Sequence, residues 1–290
     1  MARSPRRPID DEAASLEAEV PDIQVRESTF YIVGKRPLIF NRMAAKAMRQ
    51  LLLPKPRSRK SADLELSVKH DPLQEYRDSV HRRRDTDPGP TRLLLPAPAF
   101  KGAMATGALD APGLKKTEIG RRVWVNDVTV PVWGKPYLFM SAVRNSGINK
   151  TPDIRTRALL KEWAAVITVS YIHPLVRINQ VVTLLGYGGI TAGVGDFRQE
   201  KGKGNYGQFE FVDPAAAKFD PAAAKFVQIC AEGGTEVQDA ALADPETHDE
   251  DSQELLDWYT KEVARRSSAK EIAPAKRRGG NGEAEAAGTA

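Results

Sequence analysis

Residues 188–209, GGITAGVGDFRQEKGKGNYGQF, hold seven glycines: Gly188, Gly189, Gly193, Gly195, Gly202, Gly204 and Gly207. Glycine weakens the interior of both helix and strand and opens backbone conformations with positive φ. A stretch this rich in it continues neither element, so it must be a loop or hairpin joining what lies on each side. Before it, RINQVVTLLG (177–186) reads as a helix ended by glycine; after it, YGQFEFV (206–212) alternates as a strand. Phe209 and Phe211 share one side of that strand and are expected in the core.

Arg198, Lys201 and Lys203 lie between these glycines, with Phe197, Tyr206 and Phe209 interleaved. Glycine lets a backbone approach a phosphate and aim N–H groups at it, cations add charge, and aromatic rings stack on unpaired bases. The segment therefore reads as a nucleic-acid contact, with Gly193, Gly195, Gly202 and Gly204 as the positions of close approach. The competing reading is a flexible hairpin whose aromatics belong to the core.

Charge supports the first reading. The 290 residues carry a net +5, unevenly placed. Residues 1–33 hold 4 basic and 7 acidic side chains, residues 34–212 hold 30 and 15, and residues 213–290 hold 9 and 16. A basic body between acidic ends points to a polyanionic partner. Hydrophobic content of 41% and charged content of 28% exclude wholesale disorder. No run of about 18 apolar residues is present, as a membrane span needs. The first residues lack the apolar core of a secretory signal. The single cysteine, Cys230, excludes an internal disulfide and a cysteine-based zinc site. The expectation is a cytoplasmic protein without membrane attachment.

Residues 1–22 read as a flexible arm and residues 23–212 as one domain. QVRESTFYIVG (24–34) reads as a strand, and Asn41 can cap a helix from Arg42 to Leu53, stopped by Pro54. Residues 54–91 hold five prolines and two basic clusters, Arg57-Arg59-Lys60 and Arg82-Arg83-Arg84, and read as a long basic insertion with a short helix at 72–84. Thr91–Leu95 reads as a strand, followed by a proline turn and a helix over Phe100–Leu109. Residues 121–143 suggest two or three strands, and KEWAAVITVSYI (161–172) one more. Residues 213–290 read as an acidic, partly helical, largely disordered tail. It opens with a tandem DPAAAKF whose Asp-Pro pairs can each start a helical turn, and a helix at 252–266 places Leu255, Trp258, Tyr259 and Val263 on one face. Deleting residues 1–22 and 235–290 is accordingly expected to leave nucleic-acid affinity unchanged or slightly higher.

Catalytic signatures are absent. His70, His81, His173 and His248 are scattered, and there is no HExxH, GxSxG or GxxxxGK[ST]. The lone GxGxxG, Gly202-x-Gly204-x-x-Gly207, leads into a strand, whereas a dinucleotide site needs it to open a helix. Asp153 and Asp196 stand beside basic residues and read as ion-pairing or turn-capping groups. No metal ligands, cofactor or catalytic residues are assigned.

In LLLPAPAFKGAMATGAL (93–109) a strand passes through a proline turn into a helix with Lys101-Gly102 at its expected start, where free N–H groups attract anions. This segment and the glycine-rich loop before the last strand together resemble the RAMP superfamily, the backbone proteins of CRISPR antiviral-defence complexes, over roughly residues 24–212. Pro-Ala-Pro-Ala stands here where members have a Pro-Gly-Ser-Ser type of turn. The resemblance implies an α+β, ferredoxin-like fold akin to RNA-recognition motifs, with an antiparallel sheet and helices on one face. It also implies that YIVGKRPLIFNRM (31–43), with Lys35, Arg36 and Arg42, meets the backbone of a guide strand. Some members cleave RNA with a loop aspartate, but GKRPLIFNRM contains none. The expectation is a non-catalytic subunit that binds single-stranded nucleic acid, RNA before DNA, and acts as a homo-oligomer or repeated subunit. Lys35, Arg36, Arg42, Lys101, Arg198, Lys201 and Lys203 would hold phosphates and Tyr206 would stack. The alternatives are a phage or mobile-element protein that coats or anneals single-stranded DNA, and a RAMP-family ribonuclease.

Overall fold

A computed structural model describes residues 22–44, 48, 52, 69–144, 152–201 and 204–272. In chain order the elements are β1 (Gln24–Gly34), β2 (Leu38–Ile39), α1 (Pro72–Asp78), β3 (His81–Arg82), β4 (Leu93–Pro96), α2 (Ala97–Gly107), α3 (Lys116–Arg122), β5 (Val123–Val125), β6 (Thr129–Trp133), β7 (Pro136–Arg144), β8 (Pro152–Leu160), β9 (Ala164–His173), α4 (Ile178–Tyr187), β10 (Phe209–Val212), α5 (Pro221–Glu232), α6 (Thr235–Ala243) and α7 (Glu250–Ile272). The protein is α+β, and its strand pairs are antiparallel. The larger, curled sheet has the order β10-β1-β9-β6-β4-β3, with β5 also on β9; the smaller has the order β2-β8-β7.

β1 is the spine of the large sheet. It pairs with β9 from Gln24 opposite His173 to Val33 opposite Ala164, and its C-terminal end pairs with β10. Phe30 and Ile32 face a core built with Phe100 and Met104 of α2, Leu184 and Leu185 of α4, and Phe209. Both helices thus lie on one side of the sheet. α4 forms because Val181, Leu184 and Leu185 recur at helical spacing, and its entry is fixed where the Arg177 N–H donates to Gln180 Oε1 at 2.8 Å. On the other side, Val33, Ala164 and Val212 pack against Ala223, Phe226 and Ile229 of α5. Gly34 ends β1 for a packing reason: a side chain there would strike the Trp163 indole, which donates to the Arg36 carbonyl at 2.9 Å.

Several expectations are corrected. Residues 72–91, expected as a loop-like stretch with one short helix, pack into the fold. Tyr76 of α1 is fully buried, and its hydroxyl donates to the carbonyls of Pro136 (3.2 Å) and Ala241 (3.0 Å). Residues 54–68, most of the helix expected over 42–53, and the arm at 1–21 fall outside the described residues. α2 starts at Ala97, three residues before the expected Phe100, because proline is well suited to a first helical turn. β8 has no counterpart in the sequence reading; PDIRTRALL alternates charged and apolar residues without a β-rich composition. Phe211 shares a sheet face with Phe209 but is 38% exposed, whereas Phe209 is fully buried.

The largest correction concerns residues 213–272, which are folded. Each Asp-Pro does cap a turn: Asp213 accepts from the Ala215 N–H and Asp220 from the Ala222 N–H. The first repeat closes only a short 3-10 turn (Pro214–Ala216), because the second Asp-Pro interrupts it. The second runs on into α5, since VQICAE completes an apolar stripe, so Phe226 is buried while its twin Phe219 is 90% exposed. α6 docks through Gln238, which is fully buried among main-chain groups of β4, β6 and residue 233. α7 turns Leu255 and Leu256 inward and leaves Trp258 outside, contrary to the face expected for it. No helix among the described residues is long and apolar enough to cross a membrane.

Candidate nucleic-acid interface

The hairpin β7–β8 obeys the two-residue period of a strand. Pro136, Leu138 and Met140 are buried, while Tyr137 and Phe139 lie on the opposite, half-exposed side. The register sets Phe139 opposite Arg157 and Ser141 opposite Arg155. Cross-strand neighbours share a face, so aromatic and cationic side chains alternate on one surface.

The glycine-rich loop adds to that surface. After α4 the chain makes a wide helical turn (Gly188–Ala192) and then reverses through Gly193 (φ 70°) and Gly195 (φ 84°). Its two arms are stitched together where the Val194 N–H donates to the Gly207 carbonyl at 2.9 Å. They are stitched to the chain after β1 where the Asp196 N–H donates to Ile39 O (2.9 Å) and the Gly207 N–H to Pro37 O (2.8 Å). The turn at Phe197, itself at φ 47°, meets the returning arm where the Tyr206 N–H donates to the Phe197 carbonyl at 3.3 Å.

Together these elements make a row of rings. Tyr206 stands 6.4 Å from Phe139, and His248 meets Phe139 edge-on at 5.6 Å. The Arg157 guanidinium lies 5.7 Å from the centre of the Phe197 ring and pairs with Asp196. At the other end of β7 the ammonium groups of Lys161 and Lys135 lie 4.3 and 5.4 Å from the Tyr137 ring, and Lys135 also pairs with Glu246 at 2.6 Å. Burial first, and then the charge of Arg155, push the Arg157 guanidinium down to about 10, so it remains a cation at neutral pH. Burial lowers the His248 imidazole below its ordinary value, with Asp249 opposing and Lys161 adding to the effect. Its ring therefore favours the neutral, stacking form.

The expected site residues divide. Tyr206 is in the aromatic row. Arg198 is beside it, bound to Glu200 at 2.9 Å and to the Gly195 carbonyl at 3.3 Å. Lys35 is exposed but paired with Glu210 at 3.0 Å, and Arg36 is exposed after β1. Lys101 is corrected: it lies on the second turn of α2, beyond the free N–H groups that the anion argument needed. Arg42 lines a groove beside α1 and, with Arg155 and Arg157, a second pocket. Lys201 closes a 3-10 turn (Gln199–Lys201), while Gly202 and Lys203 fall outside the described residues. The glycines are corrected in their reason. A side chain at Gly193 would meet the Gly207 carbonyl, at Gly195 the Ile39 carbonyl, and at Gly204 the Phe197 carbonyl. The protein's own backbone therefore requires glycine at these positions. Gly207 leads into β10 and not into a helix, as the rejection of a dinucleotide site expected.

Sequence reasoning missed Tyr137, Phe139, Arg155, Arg157 and Lys161. The signal for the first two was present in the alternation of PYLFM, but only the β8 register brings the arginines to the same face. Asp153 and Asp196 do form ion pairs: Asp196 with Arg157, and Asp153 with Lys69 and, at 3.0 Å, with His70. Desolvation opposes, but the hydrogen bonds from Lys69 and His70 outweigh it and hold the Asp153 carboxyl below its ordinary range. Among the described residues no three His, Cys, Asp or Glu side chains gather as metal ligands. No family model matches the chain, and no curated protein is similar to it.

Proposed function

We propose that this protein binds single-stranded nucleic acid, RNA before DNA, without cleaving it, and that it serves as a repeated backbone subunit of a RAMP-like ribonucleoprotein. The observation that carries the proposal is the row Tyr137–Phe139–Tyr206, flanked by Arg155, Arg157, Lys161 and Arg198, on one face of the hairpin and glycine-rich loop. Rings that stack on any base, set among cations that follow a phosphate backbone, are the working parts of a single-strand binder. The strand order lends support to a ferredoxin-like reading. Taking β1, β6, β9 and β10 with α2 and α4 gives a β-α-β-β-α-β path with both helices on one side. In this reading the hairpin β7–β8 is an embellishment that carries the binding surface, because α5 covers part of the sheet face an RNA-recognition motif would use. The cleavage-free reading is supported by the engagement of Asp153 and Asp196 with cations.

The test is anisotropy of a labelled RNA of about 30 nucleotides, and of the matching DNA, across a salt series. Neutralising about five phosphates gives a log–log salt slope near −3.5, at roughly 0.7 per contact. Phe139→Ala should weaken binding by about 5- to 150-fold, the equivalent of about 1–3 kcal/mol of base stacking. Absence of binding at low salt, a flat salt response, or full affinity in a folded Phe139→Ala variant would each overturn the proposal.

A further inference from the structure

Beside α1, three arginines converge on an open groove of about 540 Å³. Arg42 comes from the chain after β2, Arg77 from the last turn of α1, and Arg82 from the edge strand β3. Arg82 belongs to the Arg82-Arg83-Arg84 cluster, which the aromatic interface leaves without a role. We propose that this groove binds a phosphomonoester, the doubly charged end group of a nucleotide or of a nucleic-acid strand, in preference to the singly charged internal phosphodiester.

Three features carry the assignment. The first is charge. Asp78 is the one carboxylate among the groove's lining residues, so three guanidiniums leave an excess of two positive charges before His81 is counted. That excess matches a phosphomonoester, which carries about −1.5 to −2 at neutral pH, better than a diester. The second is anchoring. Each guanidinium is held by main-chain carbonyls: Arg42 by Asp78 O at 3.2 Å, Arg77 by Leu242 O and Ala243 O at 2.9 Å each, and Arg82 by Arg77 O. Carbonyls fix a guanidinium without neutralising it, and its remaining N–H groups keep the fork that fits phosphate oxygens. The third is burial, with like-charge repulsion added to it. Burial chiefly, opposed by Asp78 and reinforced by Arg77 and Arg42, lowers the proton affinity of Arg82; burial and then Arg42 do the same to His81. Gathering like charges is costly in a free protein, and a bound dianion removes the cost. Thr129 supplies a hydroxyl at the wall, and the nearly buried Leu94 also lines the groove.

Arg42 also lines a second pocket with Arg155 and Arg157, so the test turns on Arg82, which does not, and calorimetry separates the groove from the aromatic row. The probes are inorganic phosphate, a nucleoside 5′-monophosphate, the parent nucleoside, and two oligonucleotides of one sequence that end in 5′-phosphate or 5′-hydroxyl. The monophosphate should bind and the nucleoside should not; the phosphorylated strand should bind at least about tenfold tighter than the hydroxyl strand. Arg82→Gln should abolish both differences, and Arg82→Lys should restore them only in part, since it returns the charge without the fork. A thermal melt checks that both variants fold. Binding of phosphate and monophosphate with no preference between strands would assign the groove to free nucleotides. Equal strand affinities without monophosphate binding, or a preference that survives Arg82→Gln, would overturn the groove while leaving the aromatic interface standing. Monophosphate binding with neither strand bound would do the reverse.

Discussion

Replacing Gln238 by alanine should cost the protein a large part of its stability. The side chain is fully buried and makes five hydrogen bonds to main chain. Its Oε1 accepts from the N–H groups of Arg92 (2.7 Å) and Leu93 (2.8 Å). Its Nε2 donates to the carbonyls of Val132 (2.8 Å), Gly233 (2.9 Å) and, more weakly, Gly134 (3.2 Å). One amide thus ties α6 to the start of β4 and the end of β6. Alanine leaves two amide donors without an acceptor, one of them on the fully buried Leu93. An orphaned buried group costs about 1–3 kcal/mol, so with the lost carbonyl pairs the total is about 3–5 kcal/mol, a large fraction of the 5–15 kcal/mol typical of a domain. Gln238→Glu adds a sign test. Its carboxylate still accepts from both amides but offers nothing to three carbonyls, and burial disfavours its charge. Its folded-state pKa must therefore rise above the unfolded value. The stability tied to its proton is complete below the ordinary carboxylate range and is lost as pH rises through the raised value. Urea unfolding followed by circular dichroism measures both, with Gln238→Glu expected to be more stable near pH 5 than near pH 8. A loss below about 1 kcal/mol for Gln238→Ala at unchanged m-value would show that α6 is dispensable, and the reasoning would fail.

Deleting residues 235–290 removes Gln238 and the buried Leu242, so the truncated chain should lose its cooperative thermal transition instead of keeping an intact body. Gly207→Ala should destabilise by at least about 2 kcal/mol in denaturant melts, because φ is 71° and the added carbon meets the Val194 carbonyl. Gly186→Ala, inside α4 with open space around it, should instead stabilise by about 0.5–1 kcal/mol in the same assay. Burial pushes the Cys230 thiol up to about 11, so alkylation by iodoacetamide near pH 8 should be far slower in the folded protein than in urea. The neutral thiol is the form that folding favours, so its contribution to stability is whole below the unfolded thiol's pKa and fades as pH climbs towards about 11. Equal alkylation rates in folded and unfolded protein would contradict that burial.

The sequence by itself determined the local elements whose signals are local. β1 follows from an apolar run, α4 from helical spacing (although Gly186, expected to end it, lies inside it), and the two Asp-Pro caps from residues that bond their own neighbours. It also identified the glycine-rich segment as a place where backbone comes close to something, and Tyr206 as a ring at that place. Only the tertiary structure decided what comes close. The carbonyls of Ile39, Phe197 and Gly207 lie far from their glycines in sequence or are reached by a reversal that φ values alone do not announce. The same holds for the candidate interface. Phe139 and Arg157 become neighbours through the β7–β8 register, and a pairing between strands leaves no mark in either strand's own period. It holds for α6 as well. TEVQDAALA carries no strong apolar stripe, because the group that docks it is a glutamine, and that amide gains most of its value from partners more than a hundred residues away in β4 and β6. Burial of apolar surface is legible as periodicity; the satisfaction of polar groups across distant segments is not.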